Sequence, residues 1–247
     1  MINSFRRLFA AFCASDHKLA WLHDQWKWRY FTMRHKAHAR RNQVFDRLHN
    51  VDTAAELPLE AAGVPLADVA RGNGVYRALT EDVFRAAMDS VKIDARAFTF
   101  IDIGSGKGKV LFMASNRPYK RIIGVEYAIG LHEIALRNVA TYRSDSQQCT
   151  QIEPVHDDAL AYTPPPGPLV LFVFNALAPE FMRALLKKLD QEAAAQSGRP
   201  VLLIYTNVRS VSEMGDAFDG LAHLHAIRRK RHFVVIANTA ASELVQG

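Results

Sequence analysis

The sequence predicts an α/β fold: a Rossmann-like, doubly wound and mostly parallel seven-stranded sheet with an antiparallel C-terminal hairpin, preceded by a helical N-terminal extension. Three observations carry this expectation. From residue 80 onward, short β-branched or aromatic runs alternate with helical stretches; a glycine-rich loop directly follows the first run; and only a turn separates the last two. Strands separated by helices pair in parallel through crossovers, whereas two strands joined by a short turn pair antiparallel.

From Leu19 to Leu48, apolar or aromatic residues recur at helical spacing (Leu19, Leu22, Trp26, Tyr30, Met33, Ala37, Val44, Leu48), which predicts one long helix or two abutting ones. Residues 51–74 lose that period and contain Pro58, Gly63, Pro65, Gly72 and Gly74, the mark of a connector, with a boundary near residue 72. Thr80 is placed to cap a helix that carries Glu81 and Asp82 in its first turn and runs to about Val91. Phe98–Ile103 reads as the first strand, Lys107–Asn116 as a helix, Arg121–Glu126 as the second strand and Leu131–Tyr142 as the next helix. A short strand at Ile152–His156 follows a polar loop. After the Pro-Pro-Pro-Gly-Pro turn at 164–168 come strand Leu169–Phe174, helix Pro179–Leu189, strand Val201–Thr206 and a helix near Val211–Phe218. Leu221–Ile227 and His232–Ala237, joined by the basic turn Arg228–Arg231, close the chain as a hairpin.

At 247 residues and 49% hydrophobic content, the chain has enough apolar material for one substantial core and an appendage. Its two cysteines, Cys13 and Cys149, lack CxxC spacing, so neither a disulfide framework nor a zinc site is expected, and a reducing, cytoplasmic setting fits. The longest mostly apolar stretch, Leu169 to Ala178, is about half the ~20 residues a membrane-spanning helix needs, so no transmembrane segment is expected. The net charge of +6 is unevenly placed: residues 1–50 hold ten Lys/Arg against three Asp/Glu, leaving 21 against 22 for the rest. All three tryptophans, Trp21, Trp26 and Trp28, share that basic segment. Cations interleaved with aromatics suit an anionic partner such as nucleic acid, an acidic protein or a membrane surface; a lid helix with a solvated basic face is the plainer reading.

The loop between the first strand and its helix reads Asp102-Ile-Gly104-Ser105-Gly106-Lys-Gly108-Lys109. Glycines there permit a tight turn and close approach of a ligand to the backbone at the carboxyl end of the sheet. A P-loop requires Gly at 103 and Ser or Thr at 110, where this chain has Ile and Val. The dinucleotide fingerprint requires a third glycine at 109, which is Lys, so a nicotinamide cofactor is disfavoured. With no phosphate expected, Lys107 and Lys109 are read as solvated.

This loop resembles motif I of the class I S-adenosylmethionine-dependent methyltransferases, and Gly124-Val-Glu126 is similar to the acidic motif that follows it in that superfamily. Asp157-Asp158-Ala159 resembles the adenine contact after the third strand, and Phe174-Asn175-Ala176-Leu177 stands where the substrate motif follows the fourth. The resemblance covers about residues 73–238, and the lead-in through Phe45-Asp46-Arg47, Val51-Asp52-Thr53 and Tyr76 looks like that of a group of bacterial methyltransferases. It implies S-adenosyl-L-methionine (SAM) as cofactor, bound by Asp102, Gly104, Ser105, Gly106, Gly108, Glu126, Asp158, Ala159 and Tyr76, with residues 1–72 as an extension and linker, 73–240 as the SAM-binding domain and 241–247 as a tail.

The chemistry of these residues agrees. SAM carries a sulfonium and an ammonium but no phosphate, which suits Asp102; a carboxylate at Glu126 is placed to accept both ribose hydroxyl protons, and Asp158, in preference to Asp157, to accept from the adenine amino group. Asn175 is the acceptor-side candidate, since an amide can hold a nitrogen nucleophile by hydrogen bonds. Adenine methylases carry Asn-Pro-Pro-aromatic there; Asn-Ala-Leu lacks the rigid turn and the stacking face, which argues against adenine. Phe-Asn-Ala-Leu is also loosely similar to a motif of the Dot1-like lysine methyltransferases, implying a protein side-chain nitrogen among acceptors that otherwise include small molecules and nucleic acid. Thr206 and Asn207 are further candidates for lining the acceptor pocket, and His156 is expected to be structural. His35 and His38 lack a third ligand at metal spacing, so no metal is expected. The competing expectation is a nucleic-acid-binding protein whose methyltransferase-like domain is not catalytic.

Overall fold

The computed structural model describes residues 37–245 except 73, 197, 207–214, 219 and 231. The chain divides into two compact units, Met1–Arg41 and Asn42–Gly247, and the second holds every described strand. Residues 37–49 are helical (α1), and from Asn42 onward this helix belongs to the second unit. Most of the periodic segment that predicted it, Leu19 to Lys36, lies outside the described residues.

The order then runs β1 (Leu57–Pro58), β2 (Val75–Tyr76), α2 (Glu81–Met88), β3 (Thr99–Ile103), α3 (Lys109–Ser115), β4 (Arg121–Glu126), α4 (Ile129–Thr141), β5 (Ile152–His156), β6 (Leu169–Phe174), α5 (Pro179–Ala195), β7 (Val201–Thr206), β8 (His225–Arg229), β9 (Phe233–Ala237) and α6 (Thr239–Ser242). Seven strands form one sheet in the order β5-β4-β3-β6-β7-β9-β8. Pairs among β3 to β7 are parallel; β7 with β9 and β8 with β9 are antiparallel, so the C-terminal hairpin inserts its last strand beside β7. The chain leaves β3 toward β4 and β5, then returns to β6 on the other side. That reversal opens a crevice at the carboxyl ends of β3 and β6, the place where open α/β sheets take their ligands.

The central strands are buried on both faces, as a parallel sheet covered by helices requires. Phe100, Val170, Phe172, Leu202 and Ile204 face one core cluster, while Ile101, Leu171, Val173, Leu203 and Tyr205 face the other. In the first, the Phe84 ring from α2 meets Phe172 at 5.4 Å and Phe100 at 6.4 Å between centroids. Truncating one such ring to alanine costs about 3–5 kcal/mol. In the second, α5 lays Met182, Leu185, Leu186 and Leu189 on the sheet.

Several boundaries differ from expectation. The helix after the glycine loop begins at Lys109 rather than Lys107, because Gly106 and Gly108 adopt φ of 55° and 89° and the helix starts only once the loop is complete. α2 stops at Met88, and the Thr80 hydroxyl makes no capping bond; it is buried without a partner among the described residues. α5 continues six residues past Leu189, and Ala193 in that last stretch is buried. Arg228 and Arg229, expected in the turn, belong to β8. The expected helix near 211–218 falls partly on undescribed residues, and Gly215–Phe218 is a 3₁₀ turn.

The connector 51–74 is more ordered than its composition suggests. β1 pairs antiparallel with β2 (Leu57 opposite Tyr76), and a 3₁₀ turn at Leu66–Arg71 lies between them. Ala62 and Val64 pack with Ala128 and Leu131 in a small satellite cluster. Two-residue strands are too short for any period to reveal them. The result is a strap, residues 57–77, laid beside the glycine loop.

Candidate functional site

The loop after β3 is fixed by backbone. The N–H groups of Gly104 and Ser105 both donate to the Val125 carbonyl, at 2.8 and 3.0 Å, tying the loop to the end of β4. Gly104 and Gly106 lie at φ of 72° and 55°, the left-handed region in which a side chain is strained. Space forbids a side chain as well: a Cβ on Gly104 would sit 2.2 Å from the Ala176 Cβ, and one on Gly106 2.3 Å from the Tyr76 ring. The glycines therefore let the β6 turn and the strap close on the loop from two sides.

Glu126, at the tip of β4 and 7% exposed, grips this loop. Its Oε2 accepts from the Gly106 N–H at 2.7 Å and its Oε1 from the Ala128 N–H at 2.8 Å. Burial pushes its carboxyl above the ordinary range, while those N–H groups and that of Tyr127 pull the other way. Asp102 is 2% exposed, and its Oδ2 has no hydrogen-bond partner among the described residues; nor does the Ser105 hydroxyl. Burial, and secondarily the Glu126 charge, hold the Asp102 carboxyl well above its usual range. An unpaired buried carboxylate is costly and calls for a cation or donor to complete it.

Asp102, Gly104, Ser105, Gly106, Glu126, Asp157, Asp158, Ala159, Asn175 and Tyr76 all line one open cleft, whose empty space is about 1020 Å³ including its mouth. Of the predicted cofactor residues, Gly108 alone stays out of the lining; it starts α3. Tyr76 reaches the loop from β2, its ring over Gly106, and its hydroxyl donates to the Thr53 carbonyl at 2.9 Å. Asn175 has φ 49°, an uncommon conformation for a non-glycine residue, at the turn that presses Ala176 against Gly104. Asp158 accepts from the Leu160 N–H at 2.9 Å and is ion-paired with Arg71. Burial opposes its ionisation, but the Leu160 N–H and Arg71 outweigh that and lower its pKa. Asp157 instead caps the Asp158 N–H at 2.7 Å.

Lys107 and Lys109 are not solvated. They are 3% and 2% exposed, because Asn42, Phe45 and Asp52 cover the surface where a bare loop would leave them in water. Lys107 pairs with Asp52 at 3.1 Å, and Asn138 fastens the same place by donating to the Asp52 and Lys107 carbonyls, both at 2.9 Å. Lys109 donates to Asn42 Oδ1 at 2.6 Å with its ammonium 4.5 Å from the centre of the Phe45 ring, and burial lowers its pKa to about 8.

Sequence reasoning missed Arg71. Its guanidinium stands 5.0 Å from the ring centres of both Tyr127 and Phe181, and its carbonyl accepts from Ala178 N–H, so it fastens the strap across the cleft. Nothing in the order of residues 66–74 signals this. Thr206 is buried and donates to the Val173 carbonyl at 3.2 Å, a strand-end role; Asn207 and His35 lie outside the described residues. His156 bonds the Tyr127 carbonyl at 2.9 Å and stands 5.5 Å from the His132 ring, a packing arrangement. Among the described residues, no three metal-ligating side chains gather, and no helix is long and apolar enough to cross a membrane.

No protein-family model matches this chain, and no curated protein matches it in sequence. Similar folds occur among solved structures. A mitomycin 7-O-methyltransferase shares 15% identity over 64% of this chain with a TM-score of 0.46, the match spanning only 52% of that protein's length. A precorrin-6y C5,15-methyltransferase from Geobacter metallireducens GS-15 shares 12% identity over 66% of this chain and 91% of its own, with a TM-score of 0.46. A 23S rRNA methyltransferase shares 13% over 68% of this chain and 70% of its own, with a TM-score of 0.44.

Proposed function

We propose that this chain is a SAM-dependent methyltransferase whose cofactor domain spans residues 73–240 and whose strap, residues 57–77, covers the cofactor. The observation that carries the reading is the pair of buried acids, Asp102 and Glu126, at the tips of adjacent strands around a glycine loop. A cofactor bearing an ammonium and a ribose diol brings the donors that those two carboxylates accept. Asp102 Oδ2 takes the ammonium. Glu126 keeps lone pairs beyond the two bonds to Gly106 and Ala128, and these receive the ribose hydroxyls. Asp158 and Ala159 border the adenine, with the exposed Tyr127 ring beside them.

Bound SAM supplies a methyl group on a positively charged sulfur, ready for in-line displacement. The protein's part is alignment and exclusion of water. Tyr76 and Leu79 wall the cleft from the strap side, Phe174 and Leu177 from the β6 side. Asn175 orients the acceptor: its amide presents both a donor and an acceptor to a nucleophilic nitrogen, and a protein side-chain nitrogen is the acceptor we favour. Held by Asp102 and Glu126, the cofactor would supply the methyl group, and Asn175 would hold the acceptor nitrogen facing it. The basic residues 1–50 suit an anionic partner or acceptor.

Incubating the full chain with methyl-labelled SAM and a cell extract, then fractionating protein, nucleic acid and small molecules, tests activity and acceptor class together. Label in protein that is lost with Asn175→Ala supports the whole reading. Label confined to another fraction refutes the acceptor half, and no label in any fraction, with SAM bound, refutes catalysis.

A further inference from the structure

One side chain of the strap already engages the groups assigned above to the adenine. The Arg71 guanidinium donates to Asp158 Oδ2 and stands 5.0 Å from the ring centres of both Tyr127 and Phe181. Arg71, Tyr127 and Asp158 all line the cleft. The other Asp158 oxygen accepts the Leu160 N–H at 2.9 Å, so each oxygen of that carboxylate has a partner. The bond to Asp158 raises the pKa of Arg71 against the opposing effect of burial, and Asp68 adds to it at longer range.

A guanidinium is flat, donates from its edge and packs its faces on aromatic rings. Adenine has the same features: its amino group donates from the edge, and its faces stack. A base that donates to the same oxygen and packs on the same ring needs the space in which Arg71 stands, so the two compete. Arg71 also has a second acid within its own turn. In the 3₁₀ turn Leu66–Arg71, side chains three apart lie one above the other, which sets Asp68 beside Arg71. Asp68 Oδ2 is 3.4 Å from the Tyr127 hydroxyl, at the far end of that ring. The turn itself is anchored by backbone, since the Arg71 carbonyl accepts the Ala178 N–H at 2.9 Å. The guanidinium is therefore able to change acids while the strap stays in place.

We infer that Arg71 is an internal competitor for the base of the cofactor: it exchanges Asp158 for Asp68 when the base binds and returns to Asp158 when the base leaves. The strap thus carries a two-position switch built from one cation and two acids. The inference rests on the cofactor reading proposed above and adds to it an autoinhibitory contact made by this chain's own side chain. The switch holds cofactor affinity below what the walls of the cleft alone would give, which favours release of the spent cofactor. Arg71 takes no part in methyl transfer.

The test is isothermal titration of the 247-residue chain with S-adenosylhomocysteine, on the wild type, Arg71→Met, Asp68→Asn and the double variant, each first shown to be folded by its thermal transition. Loss of an ion pair this exposed predicts that Arg71→Met binds roughly two- to fivefold more tightly than the wild type. Asp68→Asn alone should bind more weakly than the wild type, because the displaced guanidinium loses its second acid, and should change nothing in the Arg71→Met background. Weaker or equal binding by Arg71→Met overturns the inference, since Arg71 would then be a wall of the site or a bystander. No effect of Asp68→Asn, or one that persists without Arg71, overturns the exchange. Should Arg71→Met fail to fold, Arg71→Gln, equally uncharged, takes its place with the same expected result. Absence of binding to both the folded wild type and Arg71→Met refutes the cofactor reading itself.

Discussion

Glu126 Oε2 accepts the Gly106 backbone N–H at 2.7 Å, so the acid at the tip of β4 directly holds the loop that follows β3. One buried carboxylate therefore shapes the loop and faces the cleft. Glu126→Ala leaves the Gly106 and Ala128 N–H groups without their acceptor. Bonds to a charged acceptor contribute about 1.5–3 kcal/mol each. At about 2–4 °C per kcal/mol for a unit of this size, a fall in Tm of at least several degrees is expected in thermal unfolding, with S-adenosylhomocysteine affinity lost as well. Glu126→Gln should fall between, since its amide accepts from one N–H and opposes the other.

The close approach of Gly104 to Ala176 predicts a second-site effect. Gly104→Ala puts a methyl 2.2 Å from the Ala176 Cβ and a side chain at φ 72°. Ala176→Gly relieves the overlap but not the backbone strain, which costs about 1–2 kcal/mol. The double variant should therefore unfold at a higher temperature than Gly104→Ala and below the wild type; equal Tm values for the double variant and Gly104→Ala would show that the overlap is not what matters.

Asp102 predicts a trade of stability against binding. A carboxyl whose pKa is raised on folding favours the folded state where it is protonated; that contribution is lost as pH rises from the ordinary carboxylate range through the raised value. Asp102→Asn carries no such charge. Its Tm relative to wild type should therefore improve between about pH 4 and pH 7, while S-adenosylhomocysteine affinity drops. A stability difference that stays flat over that interval would contradict the assigned burial of charge.

The Arg71–Asp158 pair should matter more for motion than for stability. Both side chains are over a quarter exposed, at 28% and 29%, so solvent screening limits the pair to about 1 kcal/mol or less. Arg71→Ala should shift Tm by only a few degrees. Hydrogen exchange at Gly72 and Ala178, whose N–H groups bond to Val69 and Arg71 carbonyls, should nevertheless accelerate as the strap loosens.

The sheet was legible in the sequence because its strands are long enough to be read and sit between recognisable helices; Arg121–Glu126, Ile152–His156, Leu169–Phe174 and Val201–Thr206 match the expected bounds. The loop was legible because its φ values favour glycine and its contacts with Tyr76 and Ala176 leave no room for a side chain at 104 and 106. What the sequence hid is long-range. Lys107 and Lys109 read as solvated because their cover, Asp52 and Asn42, lies 55 and 67 residues upstream. Arg71 carries no local mark, since its partners Asp158, Tyr127 and Phe181 come from three later segments. The strap escaped notice because two-residue strands leave no period.

The most direct test of the cofactor assignment is isothermal titration of the folded 247-residue chain with S-adenosylhomocysteine and SAM, beside Gly106→Arg, whose side chain would fill the space of the Tyr76 ring. The account predicts saturable binding to the wild type with Kd on the order of micromolar and none to the variant. No binding of either compound to the wild type at millimolar concentration would contradict it.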